Sequence, residues 1–324
     1  MNILITGGLG FIGSNFYNFF SKKYPEYNLV ILDSVTYAAD EKNIEDRINA
    51  RILKFSITDR KRLFKLFEIY NFEKVIHFAA ESHVDNSILN PLEFVNTNVV
   101  GTINLLDASV KHGIKLFYHI STDEVFGHLG PTGEFNEETP YDPRSPYSAS
   151  KAASDHFVRA YHHTYGLPIV ISNCSNNYGP NQHEEKLIPT IIKNIVNQNP
   201  IPIYGNGTNV RDWLFVTDHV DAIDNIFHKG KIGETYCIGG GYQMSNLRLA
   251  HFICDKLDEI LDYGTSSRDL ITFVEDRKGH DFRYAIDITK IKKILNWEPK
   301  TNFEQGIEIT INYYLNKFLK RLEV

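Results

Sequence analysis

The sequence predicts an α/β fold in which one doubly wound parallel β-sheet is covered by helices on both faces and is followed by a smaller C-terminal α/β lobe. Short apolar segments alternate with longer amphipathic segments through the first half of the chain. The short segments are continuously apolar, as in strands that are buried on both faces of a sheet. The alternation weakens after about residue 180, where prolines and glycines become frequent between the segments.

The individual elements follow from the length and period of each segment. Five strands are predicted in the first half, because each segment is short and rich in β-formers: residues 2–6, 28–32, 74–78, 115–120 and 168–172. Helical periodicity lies between and after them at residues 13–23, 60–70, 95–112 and 148–165. The second half has helical patterns at 188–197, 245–262 and 303–322, and strand candidates at 271–274 and 284–286.

Composition narrows the classes of function. The net charge of −6 gives no general attraction to nucleic acid or to anionic membranes, so neither partner is expected. Cys174, Cys237 and Cys254 form no CxxC pair and suggest neither a disulfide framework nor a metal site. The N-terminus lacks the pattern of a signal peptide, and no apolar run is long enough to span a membrane. We therefore expect a cytoplasmic protein without a metal.

A glycine-rich turn follows the first predicted strand. Gly8, Gly10 and Gly13 fit the pattern GxGxxG, and Gly7 gives the related spacing GxxGxxG. Glycines allow a tight turn and close backbone approach, and the N-terminus of the next helix offers N–H groups to a pyrophosphate. Asp33 ends the next strand, where a carboxylate can bond ribose hydroxyls and repels a 2′-phosphate. These features predict NAD rather than NADP; the alternative is that Asp33 merely ends the strand in solvent.

Tyr147 and Lys151 form a Y-x-x-x-K pattern on a predicted helix. A spacing of four residues places both side chains on one helix face. An ammonium group lowers the pKa of a neighbouring tyrosine, because positive charge favours the phenolate. We therefore expect Tyr147 to act as a general base beside Lys151. Two ordinary surface residues are the alternative, since the pattern is common.

Two adjacent carboxylates, Asp123 and Glu124, follow Thr122 just after the strand predicted at 115–120. Ligands of open parallel sheets bind at the carboxyl ends of the strands. Burial and the charge of one carboxylate can keep the other protonated, which gives one acid and one base in one place. The pair predicts acid–base chemistry, with a solvated turn as the alternative.

Together these motifs resemble the extended short-chain dehydrogenase/reductases, and among them the nucleoside-diphosphate-sugar 4,6-dehydratases. Further matching segments are FAAESHVDNSI at 78–88, PYSASKAASD at 146–155, CSNNYGPNQ at 174–182, EKLIP at 185–189, PIYGNGTNVRDWLFVTDH at 202–219 and GHDFRYAID at 279–287. The resemblance covers nearly the whole chain. It implies a Rossmann-type fold, a tightly bound NAD+ that is regenerated in each turnover, and a nucleoside-diphosphate hexose as substrate.

The resemblance also implies the residues of both binding sites. Those expected at the cofactor are Gly7, Gly10, Phe11, Ile12, Gly13, Asp33, Ser34, Thr36, Ser56, Ile57, Phe78, Ala79, Ala80, Thr97, Tyr147, Lys151 and Asn177. Those expected at the sugar are Ser82, Thr122, Asp123, Glu124 and Asn176. Those expected at the nucleoside diphosphate are Lys186, Leu187, Pro202, Ile203, Tyr204, Arg211, Asn246 and the segment 276–280, which includes Asp276 and His280. Arg211 would supply the local positive charge that this acidic protein needs, unless it forms a salt bridge with Asp212.

The reaction that the resemblance implies removes water across C5 and C6 of the hexose after oxidation at C4. Tyr147 takes the proton of the C4 hydroxyl while hydride passes to NAD+, and Thr122 bonds the C4 oxygen. Glu124 then removes the C5 proton, and Asp123 protonates the leaving C6 hydroxyl. Hydride returns to C6 and C5 is reprotonated, so the product is a 4-keto-6-deoxy nucleotide sugar.

Three alternatives stay open from the sequence. The resemblance favours dTDP-D-glucose, but departures from the family pattern near 241–246 and 276–280 leave UDP- or GDP-linked hexoses possible. A nucleotide-sugar 4-epimerase or decarboxylase of the same fold is the second alternative, against which Asp123 and Glu124 argue. A non-catalytic NAD-binding protein is the third, which predicts damage to the tyrosine, lysine or acidic residues.

The motif positions predict two interleaved lobes in the chain of 324 residues. Residues 1–180 with about 211–240 form the expected NAD-binding domain, and about 181–210 with 241–324 form the expected nucleotide-sugar lobe. The resemblance also implies a homodimer that pairs two helices of each subunit, for which 95–112 and 148–165 are the candidates.

Overall fold

The computed structural model describes residues 1–261 and 263–322, and a parallel seven-stranded sheet forms its centre. The strands of this part of the chain are β1 (Asn2–Thr6), β2 (Asn28–Asp33), β3 (Arg51–Lys54), β4 (Lys74–His77), β5 (Leu116–Thr122), β6 (Ile169–Cys174), β7 (Asn176–Tyr178), β8 (Ile201–Tyr204), β9 (Val210–Phe215), β10 (Thr235–Ile238), β11 (Gln243–Ser245) and β12 (Ile271–Val274). The central sheet has the order β10-β6-β5-β4-β1-β2-β3. A three-stranded sheet, β11-β9-β7, and a two-stranded sheet, β12-β8, accompany it.

The helices alternate with the strands through the first half of the chain and become more frequent near its end. They are α1 (Phe11–Lys23), α2 (Arg60–Tyr70), α3 (Val84–Leu89), α4 (Pro91–Phe94), α5 (Thr102–Lys111), α6 (Pro146–Tyr165), α7 (Leu187–Val196), α8 (Val216–Lys229), α9 (Asn246–Asp258), α10 (Thr289–Leu295) and α11 (Phe303–Leu322). Among the described helices, none combines the length and apolar character needed to cross a membrane.

Two apolar layers cover the central sheet because successive side chains of a strand point to opposite faces. Ile3 and Ile5 of β1 pack in one layer with residues of α1 and α8 such as Phe16 and Ile226. Leu4 of β1 packs in the other layer, with residues of α2, α5 and α6. The strands are continuously apolar because both faces of the sheet are buried, as the sequence predicted.

A second apolar core lies outside the sheet and joins α7, α9 and α11 to β8 and β9. Its position agrees with a separate C-terminal lobe. The chain crosses between the cores more than once, since β10 returns to the central sheet and α10 packs in the first layer through Ile291 and Leu295. The division at about residues 180, 210 and 240 stays a proposal, and its last residues, 323–324, lie outside the described residues.

Most predicted elements are confirmed, and the differences have local causes. All five early strands and all seven helices occur, with ends that differ by a few residues. The helix predicted at 245–262 ends at Asp258, and residue 262 lies outside the described part of the chain. The strand predicted at 284–286 is wrong, because Ile286 forms only an isolated bridge with Phe135. The short edge strands β3 and β10 of the sheet were missed, since four residues carry little periodicity.

The helix predicted at 95–112 contains a π-helical segment, Val95–Gly101, before α5 begins. Asn98 in this segment is buried, and its side chain bonds the backbone of Glu81 through both Oδ1 and Nδ2. Its Nδ2 also donates to Ser150 Oγ on α6 at 2.8 Å. Apolar periodicity does not distinguish the two helix types, and π-segments occur frequently at functional sites.

Candidate active site

A cleft lies at the carboxyl ends of β1, β2, β4, β5 and β6, where ligands of open parallel sheets bind. Its cavity volume is about 310 Å³. All of the residues that the sequence predicts at the cofactor line this cavity. The five residues expected at the sugar and Lys186 line it too. The fold thus brings segments from residue 7 to residue 186 into one continuous site.

The glycine turn between β1 and α1 leaves no room for side chains. Gly7 has a φ of +69°, and a Cβ at Gly13 would lie only 2.2 Å from the Gly7 carbonyl oxygen. Helix α1 begins without a side-chain cap. The N–H groups of Phe11, Ile12 and Gly13 therefore have no partner within the helix. These groups and the positive end of the helix dipole fit an anionic pyrophosphate.

Asp33, at the end of β2, is buried rather than solvated. The N–H of Leu9 donates to its Oδ2 at 3.0 Å, and the N–H of Val35 donates to its Oδ1 at 2.8 Å. Burial raises the pKa of Asp33, while these two hydrogen bonds oppose the rise. The carboxylate is held in one orientation at the cleft, and each oxygen can accept a second hydrogen bond from a ribose hydroxyl.

Helix α6 carries Tyr147 and Lys151 into the cleft. It begins with a capping box in which Ser145 and Ser148 exchange hydrogen bonds. Lys151 is buried, and its Nζ donates to the carbonyl of Ile120 on β5 at 2.9 Å. The exposed-surface alternative for this residue pair is therefore wrong.

The pKa of Tyr147 is raised well above its usual range, which contradicts the sequence prediction of a lowered value. Burial is the largest cause, and the carboxyl group of Glu124 adds to it. The prediction considered only the helical spacing to Lys151, whereas burial also lowers the pKa of that ammonium group. The phenolate of Tyr147 needs further positive charge in the cleft.

Thr122, Asp123 and Glu124 lie where β5 ends and a short 3₁₀ turn (Asp123–Phe126) begins. Thr122 Oγ1 accepts the N–H of Glu124 and donates to Asp123 Oδ1, both at 3.3 Å. In the described part of the chain, Asp123 Oδ2 is buried without a hydrogen-bond partner. A solvated turn is thereby excluded, and one buried carboxyl oxygen stays available for a ligand.

Burial and neighbouring charges shift the pKa values of the two carboxyl groups differently. The pKa of Asp123 is raised well above its usual range, first by burial and then by the charge of Glu124. Burial also raises the pKa of Glu124, but the guanidinium groups of Arg211 and Arg277 oppose the rise. Asp123 is therefore suited to donate a proton, and Glu124 is suited to accept one.

A smaller cavity of about 70 Å³ adjoins the cleft, since Glu124 and Asn176 line both. Its other lining residues are Val84, Ser145, Arg211, Arg277, Gly279, His280, Asp281 and Tyr284. Arg211 and Arg277 bring positive charge to this space, beside the carboxyl groups of Glu124 and Asp281. Burial lowers the pKa of His280 and so favours its neutral form. Two guanidinium groups that meet at one small space fit a diphosphate.

Arg211 is held by backbone carbonyls rather than by Asp212. Its Nη1 donates to the carbonyl of Val210 at 2.8 Å, and its Nη2 donates to that of Asp281 at 3.1 Å. Asp212 instead accepts the N–H of Tyr242 at 3.0 Å. The salt-bridge alternative for Arg211 is wrong, and the Arg211 charge remains available to an anion.

Several residues expected at the nucleoside diphosphate line neither cavity: Leu187, Pro202, Ile203, Tyr204, Asn246 and Asp276. Ile203 packs in the second core. Asp276 Oδ1 lies 2.7 Å from His280 Nδ1, so it contacts a lining residue. The assignments of these residues to the nucleotide stay predictions. The lining residues Ser145 and Tyr284 were not predicted, because their neighbourhood depends on segments far apart in the chain.

The whole chain is similar to known proteins in sequence and in fold. The family model described as GDP-mannose 4,6 dehydratase matches residues 4–310. A probable dTDP-glucose 4,6-dehydratase of Sinorhizobium fredii is 48% identical over 327 residues, which is 97% of this chain and 93% of that protein. The dTDP-glucose 4,6-dehydratase of Bacillus anthracis, solved in complex with NAD, is 41% identical with a TM-score of 0.89, covering 99% of this chain and 98% of that one. The enzyme DesIV of Streptomyces venezuelae, a dTDP-glucose 4,6-dehydratase also solved with NAD, is 40% identical with a TM-score of 0.91, covering 98% of this chain and 97% of that one.

Proposed function

The chain belongs to the GDP-mannose 4,6-dehydratase family of nucleotide-sugar dehydratases, and from that membership we propose that it dehydrates dTDP-D-glucose to the 4-keto-6-deoxy sugar with NAD+ as its cofactor. One observation carries the proposal. At the end of β5, Asp123 is buried and Glu124 is half-buried, and both lie in the same cavity as Tyr147 and Lys151. An oxidation site and an acid–base pair therefore face one substrate.

The cleft fits NAD+ by its own geometry. A single Cβ at Gly13 would fill the space inside the glycine turn. The N–H groups at the start of α1 can donate hydrogen bonds to a pyrophosphate. Asp33 is held in place to accept hydrogen bonds from the adenosine ribose. Bound NAD+ would supply the acceptor of hydride from C4 and its later donor to C6.

At C4, Tyr147 accepts the hydroxyl proton of the sugar and Thr122 bonds the C4 oxygen. Because burial raises the pKa of Tyr147, positive charge must offset that burial before the phenolate forms. Lys151 provides one such charge, and a bound nicotinamide cation would add another. The 4-ketone that results makes the proton on C5 acidic.

At C5 and C6, Glu124 and Asp123 divide the elimination. Glu124 is favoured as the base for the C5 proton, since Arg211 and Arg277 oppose the rise of its pKa. Asp123 is favoured as the acid that protonates the leaving C6 hydroxyl, since its pKa lies well above the usual range. The two steps occur on one substrate without diffusion of the intermediate. Return of a proton to C5 completes the 4-keto-6-deoxy product, and NAD+ would be regenerated for the next turnover.

The smaller cavity is where we place the diphosphate. Arg211, whose hydrogen bonds go to backbone carbonyls, brings a guanidinium to it, and Arg277 brings a second one. His280 also lines it and can donate a hydrogen bond. Lys186 lies in the adjoining cleft. We assign dTDP rather than UDP or GDP because the relatives named above are dTDP-glucose 4,6-dehydratases.

The test is direct. We would incubate the protein with dTDP-, UDP- and GDP-hexoses and follow the loss of one water by mass spectrometry, together with the absorbance that base induces in a 4-keto sugar. Dehydration of dTDP-glucose is the expected result. Inversion at C4 without water loss would instead indicate an epimerase, and no product from any of the sugars would remove the proposal.

We also propose that the protein is a homodimer. Several large apolar side chains are exposed on α3, α4, the π-segment and α6: Leu89, Leu92, Val95, Val100 and Phe157. These helices pack against one another, which supports the proposal that their exposed apolar side chains share one face. Burial of such a face in a four-helix interface removes apolar surface from water.

A cytoplasmic location completes the proposal. Cys174, Cys237 and Cys254 are buried free thiols, which suit a reducing compartment. NAD and nucleotide sugars would be available to the enzyme there.

A further inference from the structure

The segment 82–86 links the larger lobe to both ligand cavities. It follows the cofactor residues at 78–80 and runs into α3. Ser82 lines the cleft and Val84 lines the smaller cavity. The carbonyl of Ser82 also accepts a hydrogen bond from Lys186 Nζ at 3.3 Å. This short segment therefore meets the part of the chain that forms the nucleotide-sugar lobe.

Asp85 makes the strongest contacts of this segment. Its Oδ1 lies 2.7 Å from Nε of Arg277, and its Oδ2 accepts a hydrogen bond from Arg277 Nη2 at 3.3 Å. The hydroxyl of Tyr204 donates to the same Oδ2 at 3.1 Å. The Arg277 guanidinium lies over the Tyr204 ring, 5.2 Å from its centroid. The three side chains thus form a closed set in which each contacts the other two.

Asp85 is placed to orient this set rather than to bind substrate. It lines neither cavity, and a carboxylate would repel a diphosphate. Arg277 does line the smaller cavity, and it is held by Asp85 through an ion pair at Nε and one hydrogen bond from Nη2. Asp85 is not the N-cap of α3, because His83 occupies that position and its side chain accepts the N–H of Asn86.

We propose that Asp85 is a positioning residue that holds Arg277 and Tyr204 in place for the nucleoside diphosphate. The inference rests on the proposed function, since it takes the smaller cavity as the diphosphate site. A guanidinium fixed before the substrate arrives loses less freedom on binding, so affinity is higher. The contribution belongs to binding and not to the chemical steps at C4, C5 and C6.

The experiment measures binding of dTDP alone to the NAD-containing protein by titration calorimetry, alongside KM and kcat for dTDP-glucose. Asp85→Asn should raise the Kd for dTDP and the KM by about tenfold, because one charge-assisted pair is lost at a partly exposed site. The kcat at saturating substrate should stay near that of the wild type. Equal Kd values for Asp85→Asn and wild type would overturn the proposal.

Asp255→Asn is the matched control. Asp255 also pairs with an arginine through both oxygens, since Arg268 Nε donates to its Oδ1 at 2.6 Å and Nη2 contacts its Oδ2. That pair joins α9 to the 3₁₀ turn Ser267–Leu270 and lines neither cavity, so its loss should leave the Kd unchanged. A similar rise in Kd for both variants would overturn a specific role of Asp85.

Tyr204→Phe extends the test and covers the case in which Asp85→Asn does not fold. It removes only the hydroxyl that reaches Asp85, so the Kd should rise in the wild-type background and not further in Asp85→Asn. An unchanged Kd in Tyr204→Phe would overturn the proposal. Measurements on the wild type distinguish failure of the Asp85 proposal from failure of the proposed function. If the wild type neither binds dTDP nor dehydrates dTDP-glucose, the proposed function itself is refuted.

Discussion

Asp123 and Glu124 are neighbours in the sequence, yet their surroundings shift their pKa values differently. Asp123 is buried and Glu124 is half-buried, and both lie next to Thr122. Burial and the charge of Glu124 raise the pKa of Asp123 well above its usual range. Arg211 opposes the rise for both carboxyl groups, and Arg277 also opposes it for Glu124. These differences favour Asp123 as the proposed acid and Glu124 as the proposed base.

Glu124→Gln tests the base. The amide cannot accept the C5 proton, so incorporation of solvent deuterium at C5 should fall by about 100-fold or more, while binding of dTDP stays near the wild-type value. Mass spectrometry and proton NMR of the product in D2O provide the measurement. Asp123→Asn is the comparison, since it should slow the loss of the C6 hydroxyl and keep C5 exchange. Normal turnover by Glu124→Gln would contradict the assignment.

Asp212 allows a prediction of pH dependence. Burial raises its pKa from 3.8 to about 6, although the backbone N–H of Tyr242 bonds its carboxylate. A carboxyl group with a raised folded-state pKa stabilises the fold fully below its unfolded pKa of 3.8, and that stability is lost as the pH rises through about 6. The stability of the wild type should therefore fall across this window relative to Asp212→Asn.

The measurement is urea unfolding of both proteins at several pH values. The free energy of unfolding of Asp212→Asn minus that of the wild type should increase by about 3 kcal/mol from about pH 4 to above pH 6. The amide keeps an oxygen for the Tyr242 N–H, so the pH-dependent difference reports the lost charge. A difference that stays constant over this range would show that the pKa of Asp212 is not raised.

Among the elements, the π-segment Val95–Gly101 connects the helix layer to the cofactor cleft. Asn98 bonds both backbone groups of Glu81, which follows the cleft residues Ala79 and Ala80. The wider turn of the π-segment carries Thr97 into the lining of the same cavity. One buried amide therefore couples the position of this helix to the wall of the NAD site.

Asn98→Ala should lower the free energy of unfolding by about 3 kcal/mol, because it leaves buried backbone groups without partners. It should also lower the amount of NAD that the purified protein retains, which absorbance after protein precipitation measures. Asn18→Ala is the control: Asn18 makes the same kind of bridge from α1 to the backbone of Asn43 and Glu45. That variant should lose stability and keep its NAD, and equal NAD loss in both would contradict the coupling.

For the whole molecule, the proposed dimer depends on the exposed apolar side chains of α3, α4 and α6. Leu89 is 83% exposed and Leu92 is 71% exposed. Leu92→Glu should raise the dimer dissociation constant by about 30-fold or more, because a charge would be buried in the interface. Sedimentation velocity at several concentrations measures it. Ile69→Glu, at a residue 61% exposed on α2, should leave the dimer intact; a monomeric wild type would refute the interface.

The distribution of charge is a second property of the whole molecule. The net charge of −6 is spread over the chain, but Arg211, Arg277 and His280 gather at one small cavity. In the proposed function, this local cluster allows an overall acidic protein to bind a single diphosphate without attracting polyanions in general. The sequence indicated Arg211 as the local cation, and the structure adds its contacts.

Much of the site was predictable because its motifs are local. The glycine turn, the Y-x-x-x-K pattern and the Asp123–Glu124 pair each lie within a few residues of a strand or helix end. The early strands were recognised because a short, continuously apolar run between turn residues is typical of a buried strand. Four-residue strands such as β10 carry too little pattern, and residues 284–286 look like a strand but pair only at Ile286.

The sequence by itself determined the fold class, the approximate extents of seven helices and many of the residues that line the cleft. Only the tertiary structure decided how those groups behave. The pKa of Tyr147 is raised where the spacing to Lys151 predicted a decrease, and Arg211 bonds carbonyls where Asp212 was a possible partner. The physical reason is that burial and electrostatic neighbours depend on segments that are distant in the chain and that meet only when the sheet and the second core assemble.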